Sequence, residues 1–114
     1  MQCTALCLLI SSWLSVHGFA DAQRQAVLRN IRLESRFEAC VSRGPGGSAY
    51  LLQWLGPRRR ALARFAHTNS CPTWQDQLQF ATMELMASKY TVFWKTKDAS
   101  VAFHEFREHF GRGR

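Results

Sequence analysis

A chain of 114 residues that is 46% hydrophobic can bury one core, and this length excludes an assembly of several domains. Its net charge of +7 favours anionic partners, among which nucleic acid, anionic lipid and bacterial cell wall all qualify. Charge that serves only solubility is the alternative. The histidines are scattered and the cysteines form no Cys-x-x-Cys pair, so neither a metal site nor a cofactor is expected.

The first 20 residues have two interpretations. Their apolar stretch, followed by a small-x-small sequence, is typical of a secretory signal peptide. However, no Lys or Arg precedes the stretch, and Leu9 and Trp13 recur at helical spacing with serines between them. We therefore expect the first helix of the domain, over about 5–17 and ending at Gly18, rather than a cleaved signal. The stretch is too short to cross a membrane, which needs about 20 residues.

A second helix is predicted from Asp21, a favoured N-cap residue, to about Ser35. Val27, Ile31 and Glu34 recur along it at three- and four-residue spacing, so they share one helix face. The helix therefore carries a carboxyl group on an apolar face, close to its C-terminal end.

The rest of the chain alternates loops and helices. Glycines and a proline over 38–49 predict a loop, and a short extended or hairpin segment is expected near 48–55. A third helix starts at Pro57, in the favoured first position, and a fourth runs from a capping-box-like start at Thr73 to about residue 87. A fifth helix, over about 98–110, has the clearest amphipathic stripe, formed by Ala99, Ala102, Phe103, Phe106 and Phe110. The prediction is one all-α domain over residues 1–114 with about five helices.

The four cysteines fall into two pairs. Cys3 and Cys7 lie four residues apart in the apolar N-terminal stretch and are expected to be free thiols that pack as small hydrophobes. Cys40 and Cys71 lie in two separate loops. A disulfide between them would add about 3–4 kcal/mol and would require an oxidising compartment, whereas two buried thiols are the alternative.

Short motifs follow one another in a defined order along the chain. After Asn30-Ile31 come Glu34-Ser35-Arg36-Phe37, the glycine-rich loop 44–47, the segment from Tyr50 to Trp54, residues 56–62, Gln77-Leu78-Gln79-Phe80 and Glu84-Leu85. Over roughly residues 8–112, this series resembles the phage tail lysozyme family, the lysozyme-like domain of phage tail-tip proteins. Two positions depart from the family pattern, since the glycine expected within 49–54 is absent and the one before Asn30 is Arg29.

The resemblance implies an all-α, lysozyme-like fold and a peptidoglycan-cleaving glycosidase. Such a lysozyme, or muramidase, acts on the β-1,4 bond between N-acetylmuramic acid and N-acetylglucosamine, and the resemblance implies Glu34 as its general acid. A carboxyl group on an apolar face is desolvated, which favours the protonated form that a leaving glycosidic oxygen needs. The alternative is a solvated Glu34 at a helix end, paired with Arg36 or with an arginine of the third helix.

The same resemblance implies a groove for the glycan beside Glu34. Tyr50, Gln53 and Trp54 are the expected substrate-binding residues, because an aromatic ring stacks on a sugar face and an amide binds its hydroxyls. Ser35 would hold Glu34 or a neighbouring backbone group. The alternatives are that Ser35 only ends the helix and that Tyr50 and Trp54 are core aromatics.

No second carboxylate is evident, so several reactions stay open. An activated water would give hydrolysis, whereas attack by a hydroxyl of the muramic acid would give the anhydro product of a lytic transglycosylase. A catalytically inactive, glycan-binding module is a third interpretation, and a cationic protein that disrupts membranes or binds nucleic acid is a fourth. The arginines over 58–60 lack a nucleic-acid motif and interleaved aromatics. We therefore expect peptidoglycan as the partner of a monomer at the cell wall or periplasm, with no nucleic acid and no stable membrane insertion.

Overall fold

The chain folds as a bundle of helices in the computed structural model, which describes residues 3–112 and gives only the backbone of 111 and 112. Six α-helices and one 3-10 helix, with no β-strand among the described residues, confirm the predicted all-α fold. The α-helices are α1 (Ala5–Val16), α2 (Asp21–Ser35), α3 (Pro57–Ala66), α4 (Trp74–Glu84), α5 (Thr91–Lys95) and α6 (Ala99–Arg112), and the 3-10 helix spans Ser88–Tyr90.

Two helix ends differ from the prediction. Asp21 is the first helical residue of α2 rather than its N-cap, which is Ala20, and the Asp21 carboxylate accepts hydrogen bonds from side chains within the helix. α4 ends at Glu84, before the expected end near residue 87, because the chain turns there into the 3-10 helix and α5. α5 was not predicted, since five residues are too few to show a helical period. It places Phe93 in the core.

α2 and α6 form the centre of the bundle and share the most extensive contact of any two helices in the described range. Val27 and Ile31 of α2 and Ala102 and Phe106 of α6 are buried in one core. Burying a valine, isoleucine or phenylalanine side chain is worth about 1.5–3 kcal/mol. Several such side chains together fix the two helices against each other. This contact determines the position of every side chain near the C-terminal end of α2.

α1 occupies the apolar N-terminal stretch and packs on α2. Its N-cap residue Thr4 accepts a hydrogen bond through its hydroxyl oxygen from the backbone N–H of Cys7, at 3.2 Å. Ile10 and Leu14 of α1 are buried in the core. Gly18, with a φ of 87°, adopts the left-handed conformation that follows the helix end.

Cys3 and Cys7 form a disulfide, so the prediction of free thiols is wrong. The reason is that Cys3 precedes the N-cap Thr4, where the backbone is extended and brings the first cysteine to within 5.2 Å of the second, Cα to Cα. A second disulfide joins Cys40 to Cys71 and ties the loop after α2 to the loop after α3. The structure thus contains the disulfide, one of the two alternatives that the sequence left open for these cysteines.

The segment near 48–55 is a tight turn closed by one antiparallel bridge. Ala49 and Trp54 exchange both backbone hydrogen bonds at 2.9 Å, and Ala49 also pairs with Ser42 in the preceding loop. The turn between them contains two non-glycine residues with positive φ, Tyr50 at 74° and Gln53 at 54°. Two residues that carry a Cβ atom thus adopt a left-handed conformation that is uncommon outside glycine.

The C-cap of α2 gives a stability prediction. Arg36 is exposed and adopts the left-handed conformation, with φ 53° and ψ 35°, which costs a non-glycine residue about 1–2 kcal/mol. Arg36→Gly is expected to raise the free energy of unfolding by about 0.5–1 kcal/mol, because glycine relieves this cost but adds entropy to the unfolded chain. Urea unfolding of the two proteins measures the change. Arg36→Ala is the control, since it removes the same side chain and keeps the Cβ atom; an equal gain from alanine would contradict the backbone explanation.

Candidate active site

Glu34 lies one residue before the end of α2, on the face that the helix turns towards the core. Its side chain is only 15% exposed, and its Oε1 is 3.7 Å from Nη1 of Arg107 on α6, which is half exposed. Val27 and Ile31, which share this face by spacing, are buried as expected. The structure therefore places one carboxyl group at the edge of the core, largely shielded from water and beside one guanidinium group.

The chain turns away sharply immediately after this carboxyl group. The Ser35 hydroxyl donates to the carbonyl oxygen of Ile31, at 3.0 Å, and so secures the last turn of α2. Arg36 and Phe37 both follow in the left-handed conformation, with φ of 53° and 62°. Two consecutive non-glycine residues of this kind persist only where the surrounding packing determines them, and Phe37 packs against the core. The position of Glu34 relative to the following loop is therefore tightly defined.

Gln53 is buried and its amide is bonded within the protein. Its Oε1 accepts hydrogen bonds from Nε of Arg43, at 3.1 Å, and from the hydroxyl of Ser48, at 2.8 Å, while its Nε2 donates to the carbonyl oxygen of Tyr50. Only 2% of the residue is exposed. Gln53 thus braces the turn and its flanking loop, and the structure does not bring this amide to a surface where a sugar could bind.

Trp54 is a core residue, which is the alternative that the sequence left open. It is fully buried, and its indole N–H donates to Oε1 of Glu84 at 2.8 Å. The same carboxylate accepts two hydrogen bonds from the guanidinium group of Arg58, at 2.7 and 2.8 Å. The ring therefore offers no free face for stacking, and Glu84 is occupied on both oxygens by side chains that hold α3 and α4 together.

Burial raises the pKa of Tyr90, which lies beside this network, to about 12. The charge of Arg58 acts in the opposite direction and that of Glu84 in the same direction. The phenol is neutral at physiological pH and adds no charge of its own beside Glu84 and Arg58.

Tyr50 is the expected binding residue that reaches a cavity. It is 8% exposed and borders a space of about 280 Å³ with Gly47, Arg59 and Arg60. The guanidinium carbon of Arg59 is 5.4 Å from the centre of the Tyr50 ring. Glu34 does not line this cavity. The structure therefore does not bring Glu34 and Tyr50 together in that space, although the sequence led us to expect them beside one groove.

Gln77 has a structural role that the sequence analysis did not assign. It is fully buried on α4, and its Oε1 accepts the backbone N–H of Leu51 at 2.9 Å. Its Nε2 donates to the carbonyl oxygens of Ala39, at 2.9 Å, and Pro72, at 3.0 Å. One amide thus joins three segments of chain. The available signal was helical spacing, since Gln77 precedes Phe80 and Ala81 by three and four residues and so lies on their buried face. A buried amide must find partners for its polar atoms.

Arg107 was also missed, and no pattern in the sequence identifies it. It is an exposed residue on α6, 73 positions after Glu34, and only the packing of α6 on α2 brings the two side chains together. Among residues 3–112, no three His, Cys, Asp or Glu side chains lie close enough together to hold a metal ion. Within the same range, no helix has the length and apolar character needed to span a membrane.

Comparison with known families gives one match that covers nearly the whole chain. The family model described as phage tail lysozyme matches residues 8–113. No curated protein and no solved structure was found to match. The matched range includes all the motifs described above. It also includes α2, which carries Glu34, and α6, which carries Arg107.

Proposed function

The chain belongs to the phage tail lysozyme family, and on that premise we propose that it cleaves the β-1,4 bond between N-acetylmuramic acid and N-acetylglucosamine, with Glu34 as the general acid. Membership of this family implies a lysozyme-like protein that degrades peptidoglycan. The particular bond and the role of Glu34 are the parts that we propose.

The observation that carries it is the placement of Glu34. A carboxyl group at the end of a core helix, with 15% of its side chain exposed, is mostly removed from water but keeps part of its surface exposed. In the proposed reaction the Glu34 proton passes to the glycosidic oxygen as the bond from that oxygen to C1 of the muramic acid breaks. The carboxylate left behind lies 3.7 Å from the Arg107 guanidinium, within the distance of an ion pair.

The second step replaces the lost bond at C1. In hydrolysis, a water adds its oxygen to C1 and its proton returns to the Glu34 carboxylate, which restores the acid. This route uses one carboxyl group twice. Attack by a hydroxyl of the same muramic acid would instead close an anhydro ring and would return its proton to the same group.

The remaining predicted residues have supporting roles in this proposal. The polar atoms of Ser35, Gln53 and Trp54 are bonded within the protein, so these residues position the helix end and the turn rather than bind sugar. Tyr50 remains the candidate for direct contact with substrate, because it borders a cavity. The net charge of +7 would draw the protein to the anionic wall, and two disulfides suit an oxidising compartment.

Analysis of the reaction products tests the proposed bond and chemistry. Purified bacterial walls are incubated with the protein, and the released muropeptides are identified by mass spectrometry. Fragments that end in reducing N-acetylmuramic acid, heavier by one water than anhydro fragments, are expected. Anhydro ends would assign the site to a lytic transglycosylase, and reducing N-acetylglucosamine ends would contradict the proposed bond. Binding to walls without any release would make the chain a glycan-binding module. A cavity that Tyr50 borders and Glu34 does not line would suit that outcome.

A further inference from the structure

A basic surface runs along α3 and includes the cavity that Tyr50 borders. Two cavities, of about 280 and 740 Å³, share Arg60, Ala63 and Asn69 in their linings and so adjoin each other. We call this space the α3 trough. Its polar lining includes Tyr50, Arg59, Arg60, Arg64, Asn69 and Ser70, together with Thr68 and His67. Glu34 lines neither cavity.

The charge of the α3 trough is positive and uncompensated. Arg59, Arg60 and Arg64 all line it, and no Asp or Glu does so. Arg60 and Arg64 are exposed, and within residues 3–112 neither forms an ion pair with a carboxylate. The contrast is Arg58 on the same helix, which is neutralised by Glu84. The positive charge of α3 is therefore concentrated on the side that faces the trough.

Two of the three guanidinium groups leave neighbouring positions on α3, and the third is fixed by hydrogen bonds. Arg60 and Arg64 are four residues apart, so their side chains leave the helix about 6 Å apart. Arg59 donates through Nη1 to the carbonyl oxygens of Gly44, at 2.7 Å, and Gly47, at 2.6 Å. Since these partners are neutral, Arg59 is held in place while its full charge remains available. Planar guanidinium groups match the oxygens of phosphate, so several of them in one place suit a chain that carries phosphate at intervals.

We propose that the α3 trough binds a phosphodiester-linked polymer of the bacterial wall and so holds the protein on its substrate. The phosphate chemistry follows from the arginines, whereas the choice of a wall polymer rests on the proposed function. A nucleic acid fits the lining less well, because proteins that bind single strands stack the bases on aromatic rings. Among the described residues that line the trough, Tyr50 and His67 have the only aromatic rings. Tyr50 is 8% exposed and Arg59 lies over one face of its ring, which leaves little surface for a base to stack on.

Wall binding by a catalytically blocked protein tests the proposal. All proteins in the experiment carry Glu34→Gln, and binding to purified walls that contain teichoic acid is measured by sedimentation. The test variant adds Arg60→Gln and Arg64→Gln, both on exposed residues without ion pairs in the described range. The matched control adds Lys95→Gln and Lys97→Gln, which removes the same charge from exposed residues outside the trough. The same walls are also used after their phosphodiester polymers have been removed with hydrofluoric acid.

The expected result is that the arginine double variant binds intact walls about tenfold more weakly than its parent, or about threefold for each exposed contact with phosphate. The lysine control should change less than twofold, and on stripped walls the arginine variant and its parent should bind alike. Free teichoic acid should compete with intact walls more strongly than oligodeoxythymidine of equal charge. Equal losses in the two double variants, unchanged binding of the parent to stripped walls, or equal competition by the oligonucleotide would each overturn the proposal. Because binding is measured rather than wall clearing, failure of Glu34 as the acid would leave these results interpretable.

Discussion

Glu34→Gln is expected to lower the rate at which the protein clears a suspension of purified walls by about a hundredfold or more. Glutamine keeps the shape of the side chain and its place beside Arg107 but has no proton to transfer to the leaving oxygen. Positioned general acids contribute about 10²–10⁴-fold to a rate, which sets the size of the effect. The initial decrease in turbidity at equal protein concentration measures it.

Glu38→Gln is the matched control for this experiment. Glu38 is exposed and lies four residues further along the chain, and its substitution removes the same charge. The Glu38→Gln variant should therefore clear walls at a rate within about twofold of the parent's. Thermal unfolding followed by circular dichroism checks that both variants fold, since the contact of Glu34 with the exposed Arg107 is worth at most about 1 kcal/mol. Equal clearing by Glu34→Gln and its parent would eliminate this residue as the acid.

The double substitution of Cys40 and Cys71 by serine is expected to lower the free energy of unfolding by about 3–4 kcal/mol. The disulfide closes a loop of 31 residues, and the entropy that it removes from the unfolded chain grows with the length of that loop. A small domain is stable by only about 5–15 kcal/mol, so this single bond accounts for a large share of the total. Urea unfolding under oxidising conditions measures the loss.

The second disulfide supplies the control. Cys3 and Cys7 are separated by four positions, so the corresponding double serine variant should lose only about 2 kcal/mol on the same entropic argument. The two variants remove the same number of sulfur atoms and differ mainly in loop length. Losses of equal size would contradict the explanation from loop entropy and would point to packing around the cysteines instead.

Part of the fold was predictable because it depends on contacts between residues close in the chain. The apolar spacing of Val27 and Ile31 predicted the buried face of α2 and placed Glu34 on it. Thr73 caps α4 by accepting the backbone N–H of Asp76, at 3.1 Å, as the local pattern indicates. α5 escaped prediction because its five residues show too little of a helical period.

The candidate site was less predictable, because its residues depend on partners far along the chain. A tyrosine, glutamine and tryptophan in one short motif suggested an exposed groove, but the partner of Trp54 is Glu84, 30 positions away. The buried amide of Gln53 is bonded by Arg43 and Ser48, which no periodicity connects to it. Whether such side chains meet a ligand or the protein itself is decided by which elements pack around them.

The sequence by itself determined the helical class, the apolar faces of α2 and α6, the family and the carboxyl group at the end of α2, because each of these follows from local spacing or motif order. Only the tertiary structure decided that Arg107 lies beside Glu34 and that Gln77 joins three segments. The physical reason is that an ion pair or a buried amide needs atoms within a few ångströms, and residues 73 or 26 positions apart reach that distance only after the helices have packed.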